Sequence, residues 1–158
     1  AVADTPEKIL KIPQEKLEKL IFSSGYYKNK AKTIKHVSKV ILEEYGGKVP
    51  NDLDELMSIK GIGRKTATIT RVFGFAIADC IPTDIHVHVI ANRLGWVKTK
   101  TPEKTEEELM KIVPKEYWFE INTLFVLYGK EICQTQSPFC SKCVISKYCP
   151  KIGVKRSR

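Results

Sequence analysis

Four of the chain's five cysteines, Cys133, Cys140, Cys143 and Cys149, fall within 17 residues at the spacing C-x6-C-x2-C-x5-C. Nothing else in the sequence restricts the fold as tightly, because a run this short and this poor in apolar side chains cannot build a core of its own. The chain has no basic-then-apolar opening followed by a small-residue cleavage site, and we read it as intracellular, cytoplasmic or nucleoid. In a reducing compartment, clustered thiols bind metal rather than pair with one another. Two centres compete, a structural zinc held by four thiolates and a cubic iron–sulfur cluster. Zinc ribbons pair two C-x2-C knuckles across a longer loop, whereas this run has one such pair. Cys80, in the apolar stretch Ile77 to Ile81, reads as a small buried hydrophobe.

The rest of the chain must therefore supply the core. Its 158 residues are 42% hydrophobic and 28% charged, ordinary values for a globular protein, and no apolar run nears the roughly 18 residues of a spanning helix. We expect no membrane association and a monomer. The formal charge is +9. From Ile132 to Arg158 there is no acidic side chain, while Lys142, Lys147, Lys151, Lys155, Arg156 and Arg158 contribute +6. Such a field favours a polyanion, although a solubilising basic surface would have the same composition.

Helix is the only clear period. Residues 29–45 place Ala31, Ile34, Val37, Val40, Ile41 and Tyr45 on one face, and Gly46-Gly47 stops the run. A short helix is expected over Asp52 to Ser58, and another from Gly63 through Phe73. A third should be capped by Thr83 and end near Leu94-Gly95. Thr101-Pro102-Glu103 has the order of N-cap, first helical residue and acidic first turn. The last long helix should run from Lys115 to Glu131. With no clean alternation, the fold class is all-α. We place a helical domain at 1–78 and a cysteine-containing helical domain at 79–158, and read the final five residues as a disordered basic tail.

Between the two short helices lies Leu56-Met57-Ser58-Ile59-Lys60-Gly61-Ile62-Gly63-Arg64-Lys65-Thr66-Ala67. Two glycines flanking one aliphatic residue allow a tight hairpin, with the amides of the second helix's first turn turned toward a phosphate. Lys60, Gly61, Ile62, Gly63 and Arg64 are thus candidate DNA-binding residues, making contacts that position without reading sequence.

With these motifs together, the chain resembles the endonuclease III family of DNA base-excision glycosylases, of the helix-hairpin-helix glycosylase superfamily. The match runs from about Thr5 to Pro150: Gly25-Tyr26-Tyr27-Lys28-Asn29-Lys30-Ala31, the hairpin, Pro82-Thr83-Asp84-Ile85-His86-Val87, Asn92-Arg93-Leu94-Gly95-Trp96, and the four cysteines in the family's own spacing. The resemblance implies a helical domain carrying the hairpin, a domain holding a [4Fe-4S] cluster, and a lesion pocket in the cleft between them. The implied partner is double-stranded DNA containing damaged bases or abasic sites. The family's opening helices are not represented in the sequence, and Val89 stands where the family has an arginine near the cluster.

The resemblance assigns Lys65 the attack on the sugar C1′ and makes Asp84 its partner. The residue types suit these roles. At the opening of a helix and next to Arg64, a further positive charge is opposed, so a lysine there can act as a neutral nucleophile. A carboxylate at Asp84 can stabilise the oxocarbenium-like charge that develops as the base departs, and can accept a proton from Lys65. His86 and His88 read as packing or phosphate-facing groups. The implied activity is a bifunctional glycosylase and lyase for oxidised pyrimidines. The alternatives are a monofunctional mismatch glycosylase, which normally lacks the lysine, and a non-catalytic DNA-binding module with a four-cysteine zinc site.

Overall fold

The computed structural model describes residues 2–158, and every regular element among them is helical. The chain divides into two compact units, one ending at Ala67 and one spanning Thr68–Arg158.

In the first unit, α1 (Pro6–Lys11) and α2 (Gln14–Leu20) pack against α3 (Tyr27–Glu44). The Thr5 hydroxyl caps α1 by accepting from Lys8 N at 3.3 Å, with Pro6 as first helical residue. This is the Thr-Pro-Glu arrangement that the sequence analysis assigned only at 101–103. The α3 helix fits the expected 29–45 run but begins two residues earlier, at Tyr27, after an N-cap Tyr26 in the left-handed region (φ 58°). At its far end Gly46 and Gly47, both at positive φ, let Gly47 N reach Ile41 O at 2.9 Å. Leu17, Ala31, Ile41, Leu56 and Ile59 are buried here.

Two short helices follow. Asp52 caps α4 (Leu53–Ser58), accepting from Asp54 N and Glu55 N at 2.9 and 3.0 Å. Next comes α5 (Arg64–Ile69), within which the division between units falls. The single helix expected from Gly63 through Phe73 is two pieces: α5 passes into a π-helical turn over Thr70–Gly74.

In the second unit α6 (Ile85–Arg93) packs against α7 (Pro102–Ile112) and α8 (Trp118–Glu131). The core is Ile81, Val87, Ala91, Val97, Leu109, Trp118 and Ile121, with Met110, Val113 and Phe125 against it. Fully buried, a valine, leucine or isoleucine of this set contributes about 1.5–3 kcal/mol and Ala91 less. Thr101 caps α7 as expected, accepting from Lys104 N at 3.4 Å. The run expected as one helix from Lys115 opens instead with a 3-10 turn, Lys115–Tyr117. Helices α6 and α8 approach closely at Gly129, where a β-carbon would stand 2.4 Å from His86 Nδ1. No helix among the described residues is long and apolar enough to cross a membrane.

Candidate functional site

The hairpin connecting α4 to α5 is shaped by one glycine and left open at the other. Gly61 has φ 99°, and a β-carbon on it would lie 2.5 Å from Thr33 Cγ2 on α3. Backbone conformation and close packing therefore both require glycine there. Gly63 has no positive φ, and a β-carbon on it would meet nothing within 4 Å. The protein's own packing makes no use of its missing side chain. Ile62, half-buried, turns the loop through a bond from its amide to Ile59 O at 3.0 Å, and the first bond of α5 runs from Ala67 N to Gly63 O at 3.0 Å. Lys60, Gly61, Gly63 and Lys65 are exposed, with Arg64 half-buried. The structure thus gathers the hairpin residues and Lys65 in one loop and the helical turn after it.

Asp84 lies in the second unit, 7% exposed. It, not Thr83, is the N-cap of α6: Oδ1 accepts from His86 N at 2.8 Å and Val87 N at 3.0 Å. The Thr83 hydroxyl instead donates to Ile81 O at 2.9 Å, and Asn122 Nδ2 of α8 donates to Pro82 O at 2.7 Å. These two bonds tie residues 81–83 down outside the helix, and the side chain that turns back onto its amides is that of Asp84. A carboxylate held by two backbone donors is fixed in orientation.

His86 is packed under Gly129, and its Nδ1 is buried without a hydrogen-bond partner. His88 Nδ1 lies 2.6 Å from Thr105 Oγ1 in a polar network that includes Thr99 and Asn92. Burial pushes the His88 imidazole below its ordinary value, with Glu103 working weakly the other way. Cys80 is buried, and that burial raises its thiol to about 12. It behaves as the small hydrophobe expected.

Cys133, Cys140, Cys143 and Cys149 line one cavity, walled by Ile132, Pro138, Phe139 and Val154 and by the stem of Arg93. Among the described residues, no group of three His, Cys, Asp or Glu side chains is arranged to hold a single ion. Donors reach three of the four sulfurs, and the Cys149 thiol in turn donates to Arg93 O at 3.4 Å. Tyr128 Oη donates to Cys143 Sγ at 3.0 Å, and Lys151 N to Cys149 Sγ at 3.4 Å. Burial raises the Cys133 thiol, against the opposing pull of the Arg93 guanidinium.

Arg93 is the residue that sequence reasoning missed as a site residue. Only 8% exposed, it directs two of its three guanidinium nitrogens at the cysteine loop: Nη1 donates to Cys133 O, Cys133 Sγ and Gln134 O at 3.2, 3.2 and 2.8 Å, and Nη2 to Thr135 O at 2.8 Å. It supplies a guanidinium to the cysteine loop from four residues beyond Val89. The one available signal was its place in Asn92-Arg93-Leu94-Gly95, at the end of a helix.

The expected disordered tail is instead fastened to the same loop at its Arg158. Arg158 N donates to Pro138 O at 2.8 Å, Ser141 N donates to Arg158 O at 3.1 Å, and Arg158 Nε donates to Ser137 O at 2.9 Å. A flat guanidinium can stack on a half-buried aromatic ring and bond a carbonyl at once.

Residues 1–115, which include the hairpin and Asp84, match the model of the HhH-GPD superfamily base excision DNA repair protein. Endonuclease III of Thermotoga maritima is 46% identical over 145 residues, 92% of this chain and 68% of the relative. Endonuclease III of Bacillus subtilis is 40% identical over 154 residues, 97% of this chain and 69% of the relative. A solved trapped endonuclease III–DNA covalent intermediate, an estranged-adenine complex, superposes with a TM-score of 0.85 at 36% identity, covering 95% of this chain and 70% of that one. The chain spans about two thirds of the length of these relatives. It belongs to the endonuclease III family, within the HhH-GPD superfamily of base excision DNA repair proteins.

Proposed function

We propose that the chain carries the catalytic machinery of a bifunctional DNA base-excision glycosylase and abasic-site lyase acting on oxidised pyrimidines. The observation that carries this reading is Lys65, an exposed amine in the first turn after the hairpin, in a family with a member captured as a covalent intermediate with DNA. A monofunctional relative has no need of an amine there.

The hairpin engages the DNA backbone. The open side of Gly63 lets a phosphate approach the amides at the start of α5, and Lys60 and Arg64 add charge. The Lys65 amine attacks C1′ of the damaged nucleotide. A C1′–N bond forms, and the bond from C1′ to the base breaks, the base leaving with the electron pair and gaining a proton. Asp84, its carboxylate held by the α6 amides, stabilises the positive charge that builds on the sugar and accepts a proton from the attacking amine. The nitrogen lone pair then opens the sugar, the C1′–O4′ bond breaking as O4′ takes up the proton that Asp84 accepted, and the protonated C1′=N imine so formed acidifies the C2′ proton. Its loss forms a C2′–C3′ double bond and expels the 3′-phosphate, cutting the strand on the 3′ side of the lesion.

Cys133, Cys140, Cys143 and Cys149 are the proposed ligands of a [4Fe-4S] cluster. Four sulfurs line one apolar-walled cavity, and their spacing is the one the resemblance gives for the family's cluster. N–H and O–H donors directed at the sulfurs suit thiolates. Saturated by four thiolates, such a cluster ties down a loop that lacks a core and offers no open coordination position.

The test is borohydride trapping on duplex DNA with an abasic site. Only an imine between a protein amine and the opened sugar reduces to a stable bond. The parent chain is expected to give the adduct and Lys65→Gln none, with DNA binding nearly unchanged. An adduct persisting in Lys65→Gln would assign the chemistry to another amine.

A further inference from the structure

Residues 150–158 have no part in the chemistry of Lys65 and Asp84, yet they are built into the wall of the cysteine cavity. After Cys149 the chain turns sharply, with Lys151 at φ 56° and a bond from Val154 N to Lys151 O at 3.0 Å. Ile152 N donates to Arg93 O at 3.2 Å. Its Cδ1 covers Gly95, where a β-carbon would come within 3.2 Å of it. Lys151 and Val154 line the cavity beside the four sulfurs.

Beyond Val154 the segment is fastened at one residue. The backbone of Arg158 makes two bonds with residues 134–141, one to Pro138 O and one from Ser141 N. The side chain adds two more, from Nε to Ser137 O at 2.9 Å and from Nη2 to Gln134 Oε1 at 2.6 Å. The guanidinium carbon lies 3.9 Å from the ring centroid of Phe139, which itself lines the cavity next to Cys140. Five contacts from one exposed arginine, all to the same loop, are more than a solvated basic tail makes.

We propose that residues 150–158 form a strap that closes the cysteine cavity against solvent, with Arg158 as its latch. Arg158 is a positioning residue acting through Phe139 and the 134–141 loop on the group the cysteines hold. The proposal rests on reading those cysteines as cluster ligands. Attack on a buried group by a chelator or dioxygen proceeds through transient local opening, and its rate follows the population of the open form. Releasing the latch raises that population without touching the ligands.

The experiment follows iron release from the iron-loaded full chain in air with a chelator present, by visible absorbance and released iron. Arg158→Ala is expected to start with the same iron content and lose it about tenfold faster, while helix melting by circular dichroism stays unchanged. Arg158→Lys keeps a cation near the ring but loses the forked bonds, and is expected to fall between the two. A rate within about twofold of the parent, or melting that falls in step with iron loss, overturns the strap. Unchanged iron loss with weakened DNA affinity overturns it in favour of a phosphate contact. Protein that never contains iron refutes the cluster reading itself, a result distinct from all of these.

Discussion

One nitrogen of Arg93, Nη1, lies 3.2 Å from both the carbonyl oxygen and the sulfur of Cys133. The same guanidinium thus fixes where the first cysteine's backbone runs and places positive charge against its sulfur. With further bonds to the two following carbonyls, Arg93 sets the path of the loop as it leaves α8.

Replacing Arg93 with Met should keep the stem's packing and remove every one of these bonds. Three carbonyls lose their donor, a loss of about 2 kcal/mol or more, and iron content after purification should fall well below that of the parent. Arg93→Lys restores the charge but not the fork and should recover only part of the loss. Metal analysis together with thermal melting checks both.

The two hairpin glycines should part company. Gly61→Ala meets both positive φ and the Thr33 side chain, and should destabilise the chain by about 2 kcal/mol or more. Gly63→Ala meets neither and should leave stability within about 1 kcal/mol of the parent. Its effect should be on DNA affinity, because the added methyl stands where a phosphate approaches. Urea denaturation and DNA titration of the same two variants separate the outcomes; equal stability losses would contradict the assignment.

Asp84 has two duties that a serine can split. Serine also caps helices, so Asp84→Ser should cost little stability, whereas Asp84→Ala should cost about 1 kcal/mol. Base excision should fall by roughly 10²-fold or more in both, the scale of losing one electrostatic stabiliser. Trapping on a preformed abasic site should be largely spared, since no oxocarbenium-like charge has to develop there. Excision in Asp84→Ser at the parent rate would reduce the residue to a cap.

His88 gives the second unit a pH dependence of known sign. Burial holds the folded imidazole below its ordinary 6.5, so the unfolded chain binds that proton first as pH falls. The ring's contribution to stability is full above 6.5 and drains away as pH drops through that value toward the folded one. Denaturation midpoints at pH 7 and pH 5 should differ less in His88→Gln than in the parent.

The fold was legible wherever a local signal was strong and its partner near in sequence. Thr101-Pro102-Glu103 and Gly46-Gly47 act within one turn, and their helices begin and end as expected. Thr5-Pro6-Glu7 has the same order and was passed over because the helix it opens is only six residues long, too short to show a period. The choice between Thr83 and Asp84 as cap could not be read locally, since both are good caps. What decides it is Asn122 holding Pro82 from 40 residues away. Arg158 likewise reads as one more solvated cation until Phe139 is beside it. The candidate residues of the site were legible as motifs, and the supporting Arg93 was not, because its role lies entirely in contacts 40 to 42 residues distant.

Those separations also impose an order of assembly. Each bond from Arg93 to the cysteine loop closes a loop of 40 residues or more, and the bond from Ile152 reaches back further still. Closures of that length become favourable only once their near end is fixed. During synthesis α6 is complete, with its arginine presented, before the first of the four cysteines leaves the ribosome. The helical scaffold can therefore stand first, receive whatever the thiolates bind, and fold residues 150–158 over the top. Loss should run the other way, from residues 150–158 inward.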